Sequence, residues 1–446
     1  MFQLSQTRLR RPLSRTGLLL TAALTSVLTG APAHADLINN TARVTMSYFY
    51  NDNPTLRPKD SPIAPASTSI IRADARAAVE WGTARTSASL TGRVNRPYYT
   101  NRSNSDAEQT NWYIDGDASY STILNTFSVA GGYSQLGVLS DVVGEGTDLP
   151  GGGGGSSLNV DDTVTRTSVV PAWTWTMTEK DSLQTIINYN TTRFKLDNTG
   201  RADNDGAQIS LNYSRIINQR WTLGGTVSYN RFESERDLPF GVPPIGSINT
   251  KLSSKSTGAS INLSYAWSPR TQFSGRFGRT TTDTKTINTP SDPQIPTLEN
   301  TFIDAKNSLY ALTLDHQGEI TRWSIAASRT IVPNNQGQET TRNQLTADLV
   351  RQLSKMMSFR WDILAYDQIG VNDNPENPRN EFRYLATNFG ISWRISRPLS
   401  FAATYTYRWN NLTFRSPAGT NPPSFNTTET KADLHQIGFS FTYKWE

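Results

Sequence analysis

Ile71-Arg72-Ala73-Asp74-Ala75-Arg76-Ala77-Ala78-Val79-Glu80-Trp81 is the stretch that decides how the chain is read. Its odd-numbered residues, from Ile71 to Trp81, are all apolar, whereas the even ones include Arg72, Asp74, Arg76 and Glu80. Successive side chains of a strand point to opposite faces, so this segment separates a dry surface from a charged one. Its length matches the roughly 9–11 residues that a tilted strand needs to cross a bilayer. Working outward, the same pattern recurs. Trp221, Leu223, Val227 and Tyr229 alternate with Thr222, Thr226 and Ser228, and Thr257, Ile261, Leu263 and Tyr265 with Ser256, Asn262 and Ser264. Met357, Phe359, Trp361 and Ile363 alternate with Ser358, Arg360 and Asp362, and Leu399, Phe401, Ala403 and Tyr405 with Ser400, Thr404 and Thr406.

Eighteen such runs are found, beginning near Thr41, Ser69, Thr86, Asn111, Thr126, Thr165, Ser182, Asp205, Gln219, Ser256, Gln272, Ser308, Arg322, Thr341, Met356, Phe382, Leu399 and Ala432. The runs at Gln272 and Ser308 alternate less cleanly, and without them the count is sixteen. Short connections (Gly82–Arg85, Ser121–Asn125, Ile216–Asn218, Ser396–Pro398) take turns with long polar ones (Asn51–Thr68, Gln135–Val164, Glu233–Ser254, Asp283–Asn307, Asn410–Lys431). A soluble sandwich has strands of about 5–6 residues and does not sort its loops by length. Only helices and closed barrels satisfy the backbone inside lipid, and no segment after the first thirty-five residues is apolar enough for a spanning helix. The expectation is an all-β, antiparallel up-and-down transmembrane barrel of a bacterial outer membrane, surrounded by outer-membrane lipid, with both termini periplasmic.

The first thirty-five residues read as an export signal. Arg8, Arg10, Arg11 and Arg15 form a basic region, an apolar stretch from Thr16 to Gly30 follows, and Ala33-His34-Ala35 is a small-x-small cleavage site. The expected domains are therefore a signal peptide over 1–35 and a barrel over 36–446. The chain carries 43 Lys+Arg and 38 Asp+Glu. Subtracting the leader's four arginines leaves 39 against 38, a net of +1, so the basic balance is no argument for a nucleic-acid partner. Cysteine is absent, which excludes thiol chemistry and Cys-ligated metals. Nothing in the sequence asks for a cofactor or a metal.

By phase, the inward face carries Arg72, Asp74, Arg76, Glu80, Arg93, Asp115, Asp117, Arg276, Asp348, Arg360, Asp362, Arg394 and Arg408. These are the candidate lumen-lining residues, and barrels of 16–18 strands are wide enough for an aqueous lumen. Charge of both signs reads as a mixed lining, without strong selectivity for small anions or cations and suited to a polyhydroxylated polymer. No catalytic residues are expected. His316 and His435 lie far apart with no nucleophile and orienting group beside them, and they read as interface histidines. Pro150–Ser157, with five consecutive glycines, lacks the Lys-Ser/Thr of a phosphate loop. It reads as a flexible loop tip, with an extracellular gate at Gly151–Gly155 as a further expectation. The last strand carries Gln436, Gly438, Phe441 and Tyr443, spaced like the signal that the barrel-assembly machinery recognises, although the chain runs on to Glu446.

Several stretches resemble the outer-membrane barrels associated with exopolysaccharide export and PEP-CTERM (exosortase) systems. They are Pro171-Ala172-Trp173-Thr174-Trp175 before Thr178-Glu179-Lys180-Asp181-Ser182, Ser328–Pro333 with Gly337, Gly390-Ile391-Ser392-Trp393-Arg394, and Tyr405-Thr406-Tyr407-Arg408. The resemblance covers mainly residues 165–445 and its motifs are loose. It implies a route for exopolysaccharide across the outer membrane, alongside a periplasmic polysaccharide-export protein. The alternative is a diffusion porin for small hydrophilic solutes, in which the long loop with Asp141, Glu145 and Asp148 narrows the lumen.

Overall fold

A computed structural model describes residues 37–53, 67–100, 109–137, 163–195, 202–239, 247–290, 296–333, 339–370, 381–417 and 425–445. The expected leader, the Gly151–Gly155 segment and the acidic residues Asp141, Glu145 and Asp148 lie outside them.

The alternating runs are strands, and there are eighteen. They are β1 (Leu37–Asn51), β2 (Thr68–Gly82), β3 (Thr86–Tyr99), β4 (Asn111–Ser121), β5 (Asn125–Gly137) and β6 (Thr163–Thr176). Next come β7 (Asp181–Phe194), β8 (Asp203–Ile216), β9 (Trp221–Pro239), β10 (Ser247–Ser268), β11 (Thr271–Pro290) and β12 (Leu298–Gln317). The last six are β13 (Thr321–Pro333), β14 (Glu339–Gln352), β15 (Met357–Gly370), β16 (Glu381–Arg394), β17 (Leu399–Pro417) and β18 (Phe425–Trp445). Every strand pairs antiparallel with its sequence neighbours, and β1 also pairs with β18, from Ala42 opposite Trp445 to Asn51 opposite Gln436. The sheet closes on itself and leaves no edge in the membrane, as lipid requires.

The short turns share one device. In six of them a Ser, Thr or Asn side chain accepts a hydrogen bond from the backbone N–H three residues on, at the first residue of the next strand. The pairs are Thr83 with Thr86, Thr122 with Asn125, Thr178 with Asp181, Asn218 with Trp221, Ser354 with Met357 and Ser396 with Leu399. Such turns hold the backbone with their own side chains and need little sequence, which is why they were legible.

The outward phase shows where the lipid lies. Trp81, Trp175, Trp221, Trp267, Trp323, Trp393 and Trp445 all stand on it within a few residues of the short-turn end. Tyr48, Tyr98, Trp112, Tyr189 and Tyr229 make a second exposed belt on the same face near the other end. From Trp221 to Tyr229 the eight steps of about 3.4 Å, tilted by about 40°, rise roughly 21 Å, close to the ~25 Å apolar band of such barrels. Beyond Tyr229 the outer face turns ionic at once: Arg231 pairs with Glu233 (2.5 Å), Lys251 with Glu235 (3.2 Å) and Lys285 with Glu299 (2.7 Å). Exposed pairs of this kind add little stability, but they mark water on both sides of the wall.

This upper wall is where the sequence reading fell short. The segments Glu233–Ser254, Asp283–Asn307 and Asn410–Lys431, expected as loops, are largely strand, and β9–β12, β17 and β18 run to 19–22 residues. Above the membrane neither face is dry, so apolar alternation disappears although the ladder continues. The rim is uneven. β12 pairs with β13 only from Tyr310 to Gln317, and its upper half, to Leu298, pairs with β11 alone.

Within the membrane the wall is tight at Gly278, opposite Ser260 on the lumenal phase. A Cβ there would lie 2.5 Å from the Ala259 carbonyl oxygen and 2.5 Å from Ser260 Cβ. The obstruction is backbone, which cannot step aside as a side-chain tip would. Gly278→Ala is expected to cost about 1–3 kcal/mol, the range for overpacking. Urea unfolding from lipid vesicles checks this, with Gly92→Ala, where a Cβ would meet open space, as the control expected to change little.

Candidate functional site

The phase opposite the aromatic belts faces the lumen. Side chains converge on a concave wall and diverge on a convex one, and exposure follows: Thr282 is fully buried while Val227 is 58 % exposed. All thirteen charged residues assigned inward from the sequence share this phase in the paired strands.

The register then decides which of them meet. Arg93 grips Asp74 through Nη2 (2.5 Å) and Nε (2.6 Å), and its guanidinium lies 5.0 Å from the Tyr113 ring centre. Arg360 donates from Nε to both oxygens of Asp362 (2.9 and 2.8 Å), and Asp348 stands directly across from Asp362. Asn388 and Thr406 continue that line: Asn388 donates to Asp362 (3.4 Å) and accepts from Thr406 (3.1 Å). Across the barrel, Arg276 donates to Asn262 (2.9 Å), Asn262 to Thr226 (2.7 Å) and Thr226 to Asn212 (2.6 Å), a hydrogen-bonded belt over β8–β11. Asp117 accepts from Ser89, Glu80 from Asn39 (3.4 Å), and the Asp115 carboxylate reaches over the space that Gly132 leaves. Arg394 sits beside Ser400 near the short-turn rim, away from the others.

The lining is therefore not evenly mixed. Lys444 of β18, Arg43 of β1, Arg76 of β2 and Arg93 of β3 are successive cross-strand neighbours, a row of four cations on one arc. Asp315, Asp348 and Asp362 share a row on another arc, spaced by Ser324 on β13. Arg43 and Lys444 had no prominence in the sequence, because a row across strands is invisible until the register is known. Two rungs above Arg76, Arg72 stacks over the Phe49 ring at 4.9 Å. It opens onto a recess of about 280 Å³ on the wall of β1–β4 and β16–β18, shared with Arg408 and Gln436. Gly438 explains how Phe49 lies flat: a Cβ at that position would be 2.5 Å from the ring. The glycine of the expected assembly signal thus has a packing role of its own, while Phe441 and Tyr443 face lipid.

Higher on the same side, Tyr366, Phe382 and Leu412 form a buried cluster on the inner wall, with Arg342 4.5 Å above the Tyr366 ring. An apolar patch inside a wet lumen was not expected. Its signal was present in Leu364 and Tyr366, which break the polar phase of β15. The histidines face outward: His316 Nδ1 bonds Thr271 Oγ1 (2.9 Å) and its ring stacks on Trp323, while His435 Nδ1 bonds the Tyr405 hydroxyl (2.8 Å). Among the described residues no three His, Asp or Glu side chains converge as a metal site.

No family model and no curated relative matches the sequence. Solved structures that resemble the fold include the unliganded ferric citrate transporter FecA (8 % identity, 93 % of this chain and 80 % of that one, TM-score 0.46). Others are the copper transporter OprC (8 %, 93 % and 81 %, TM-score 0.41) and the ferric yersiniabactin uptake receptor FyuA from Yersinia pestis (8 %, 91 % and 80 %, TM-score 0.40). The closed antiparallel sheet of eighteen strands with its exposed apolar outer face is itself that of an outer-membrane-type barrel. The expectation of an exopolysaccharide-export channel, with a diffusion porin as its alternative, is corrected here. The barrels found are metal and siderophore transporters and receptors, neither polymer exporters nor porins. The physical reason lies in where the motifs fall. Trp173 and Trp175 are lipid-facing girdle residues, Pro171 sits where the β6–β7 ladder skips two residues, and Gly390–Arg394 and Tyr405–Arg408 are ordinary wall. Those stretches describe a strand in a membrane and carry no information about cargo. At these identities and scores the solved barrels assign no cargo either.

Proposed function

We propose that this barrel is an outer-membrane transport protein that carries a polar cargo through its lumen, in contact with the charged wall between β16 and β3. The observation that supports the reading is the largely polar inner face of a closed eighteen-stranded sheet, which one apolar patch around Tyr366 interrupts. Eighteen strands enclose more space than their own side chains fill, and a lining of charges, Asn, Ser and Thr keeps that space wet. Among the described residues His316 and His435 turn to the lipid side, away from that space, and the reading is transport.

The absence of native cysteine makes the test clean. Ser214 lies on the lumenal phase near the short-turn end, hydrogen-bonded to Ser182 (2.7 Å), and Leu211 faces lipid. A membrane-impermeant maleimide added outside intact cells is expected to label Ser214→Cys and not Leu211→Cys. Labelling of Ser214→Cys only after lysis would show that no aqueous path leads down the lumen, and would end this reading.

A further inference from the structure

We propose that the notch in the outer wall where β12 parts from β13 binds the phosphate headgroup of an anionic lipid in the leaflet at the long-loop end. The site lies on the lipid face of the barrel and is independent of what the lumen carries.

Its height is the first observation. Arg279 of β11 and Arg329 of β13 stand on the outward phase, in line with the exposed Phe277 and Ile325. Each is eight residues above the first residue of its strand, Thr271 or Thr321, as Tyr229 of the upper aromatic belt is above Trp221. Both arginines are therefore at the upper edge of the apolar band, where headgroups begin. Between them runs β12, with Ser308 across from Arg279, Tyr310 across from Arg329, and Lys306 two residues above Ser308. By strand geometry the Cα atoms of the three cations lie about 5–8 Å from that of Ser308.

Charge is the second. Among the described residues, none makes a hydrogen bond or ion pair with the side chains of Arg279, Lys306 and Arg329. Higher on the same two strands the charges do pair, Lys285 with Glu299 (2.7 Å). Asp283, four residues above Arg279, stands across from Lys255, and Asp367, two strands past Arg329, is held by Arg383 (3.8 Å). Three cations around one hydroxyl are left for an anion from outside the chain.

The third observation is an unmet donor beside an open edge. The β12–β13 ladder ends at the Tyr310–Arg329 pair, and above it the facing edges of the two strands do not bond each other. Such an edge is not tolerated in hydrocarbon, so this level is polar. At its mouth the Nε of Arg329 is buried and has no hydrogen-bond partner. A buried charged donor without an acceptor is costly, and a phosphate offers the fork of oxygens that a guanidinium takes in pairs. A headgroup whose acyl chains lie against Phe277 and Ile325 is held at this height by its own tether, which a free anion lacks.

The test is equilibrium binding of dioleoyl phosphatidic acid to the full chain folded in detergent micelles, read by native mass spectrometry, with dioleoyl phosphatidylcholine and inorganic phosphate as comparators. Phosphatidic acid is expected to bind at least about tenfold more tightly than phosphatidylcholine. Arg329→Gln, Arg279→Gln and Lys306→Gln should each weaken it about fivefold, the contribution of one cation at an anionic surface. Arg279 and Lys306 are exposed, so their variants test the site even where Arg329→Gln fails to fold. Arg96→Gln, on the outward phase of β3 across the barrel, where the guanidinium lies over Tyr98, should change binding by less than about twofold. Equal affinity for the two lipids overturns the proposal, as does a loss in Arg96→Gln that matches the loss in the three variants. Displacement of the lipid by an equal concentration of inorganic phosphate would show a site for the free anion and overturn the assignment to a lipid.

Discussion

Arginine in place of Val227 is expected to destabilise the barrel by about 1–3 kcal/mol, between the values for a cation at the interface and at the bilayer midplane of such a wall. Val227 sits on the outward phase of β9, between the belts at Trp221 and Tyr229 and opposite Leu211, and is one of the most exposed apolar side chains of the chain. In water that exposure would be a liability; in lipid it is the resting state of the residue. The same substitution one position along, Ser228→Arg, turns the charge toward the lumen, where water solvates it, and is expected to cost less than about 1 kcal/mol. The pair is informative because the two residues share strand, height and neighbours and differ only in phase. Urea-dependent unfolding from phosphatidylcholine vesicles reads the difference directly. Equal costs for the two variants would mean that the inside and outside of the wall have been exchanged or that the wall is wet on both sides.

Removing the Asp74 carboxylate has the second large expected effect. Asp74 is 6 % exposed and receives both the Nε and Nη2 of Arg93, whose side chain is 22 % exposed. Breaking a buried pair from one side costs about 3–5 kcal/mol because the remaining charge loses its partner. Here lumenal water reaches Arg93 in part, so Asp74→Ala is placed at the lower end, about 3 kcal/mol. The neighbours raise the stakes: Arg93 faces Arg76, and Arg76 faces Arg43, so the carboxylate is the counter-charge at one end of a cationic row. Combining Asp74→Ala with Arg93→Gln should recover a large share of the loss, a coupling above about 1 kcal/mol in a double-mutant cycle. Additive effects of the two substitutions would show that the pair is not a unit and that the row is neutralised elsewhere.

How much of this was readable beforehand can be seen by following single strands. The expected starts at Thr86 and Leu399 are the first residues of β3 and β17, because a short turn with a Ser or Thr bonding forward ends abruptly and the next residue already obeys the membrane's alternation. The expected starts at Ser256, Ser308 and Ala432 are late by seven to ten residues, because β10, β12 and β18 enter from an upper wall solvated on both faces. Alternation is a record of two different solvents, and it falls silent where the solvents are the same.

The opening stretch shows the same division at the level of the site. From Ile71 to Trp81 the sequence by itself determined a strand, its dry face and its charged face, and with its seventeen companions a closed barrel with a wet interior. The charges it assigned inward share one phase of the paired strands. It could not say that Arg76 would stand between Arg43 and Arg93, that Asp74 would be committed to Arg93, or that Arg72 would share a recess with Arg408. In a barrel, residues far apart in sequence become neighbours only through the register of the ladder and the closure of β18 on β1. Phase is a property of one strand and is written locally. Register is a property of pairs of strands, and only the tertiary structure decides it.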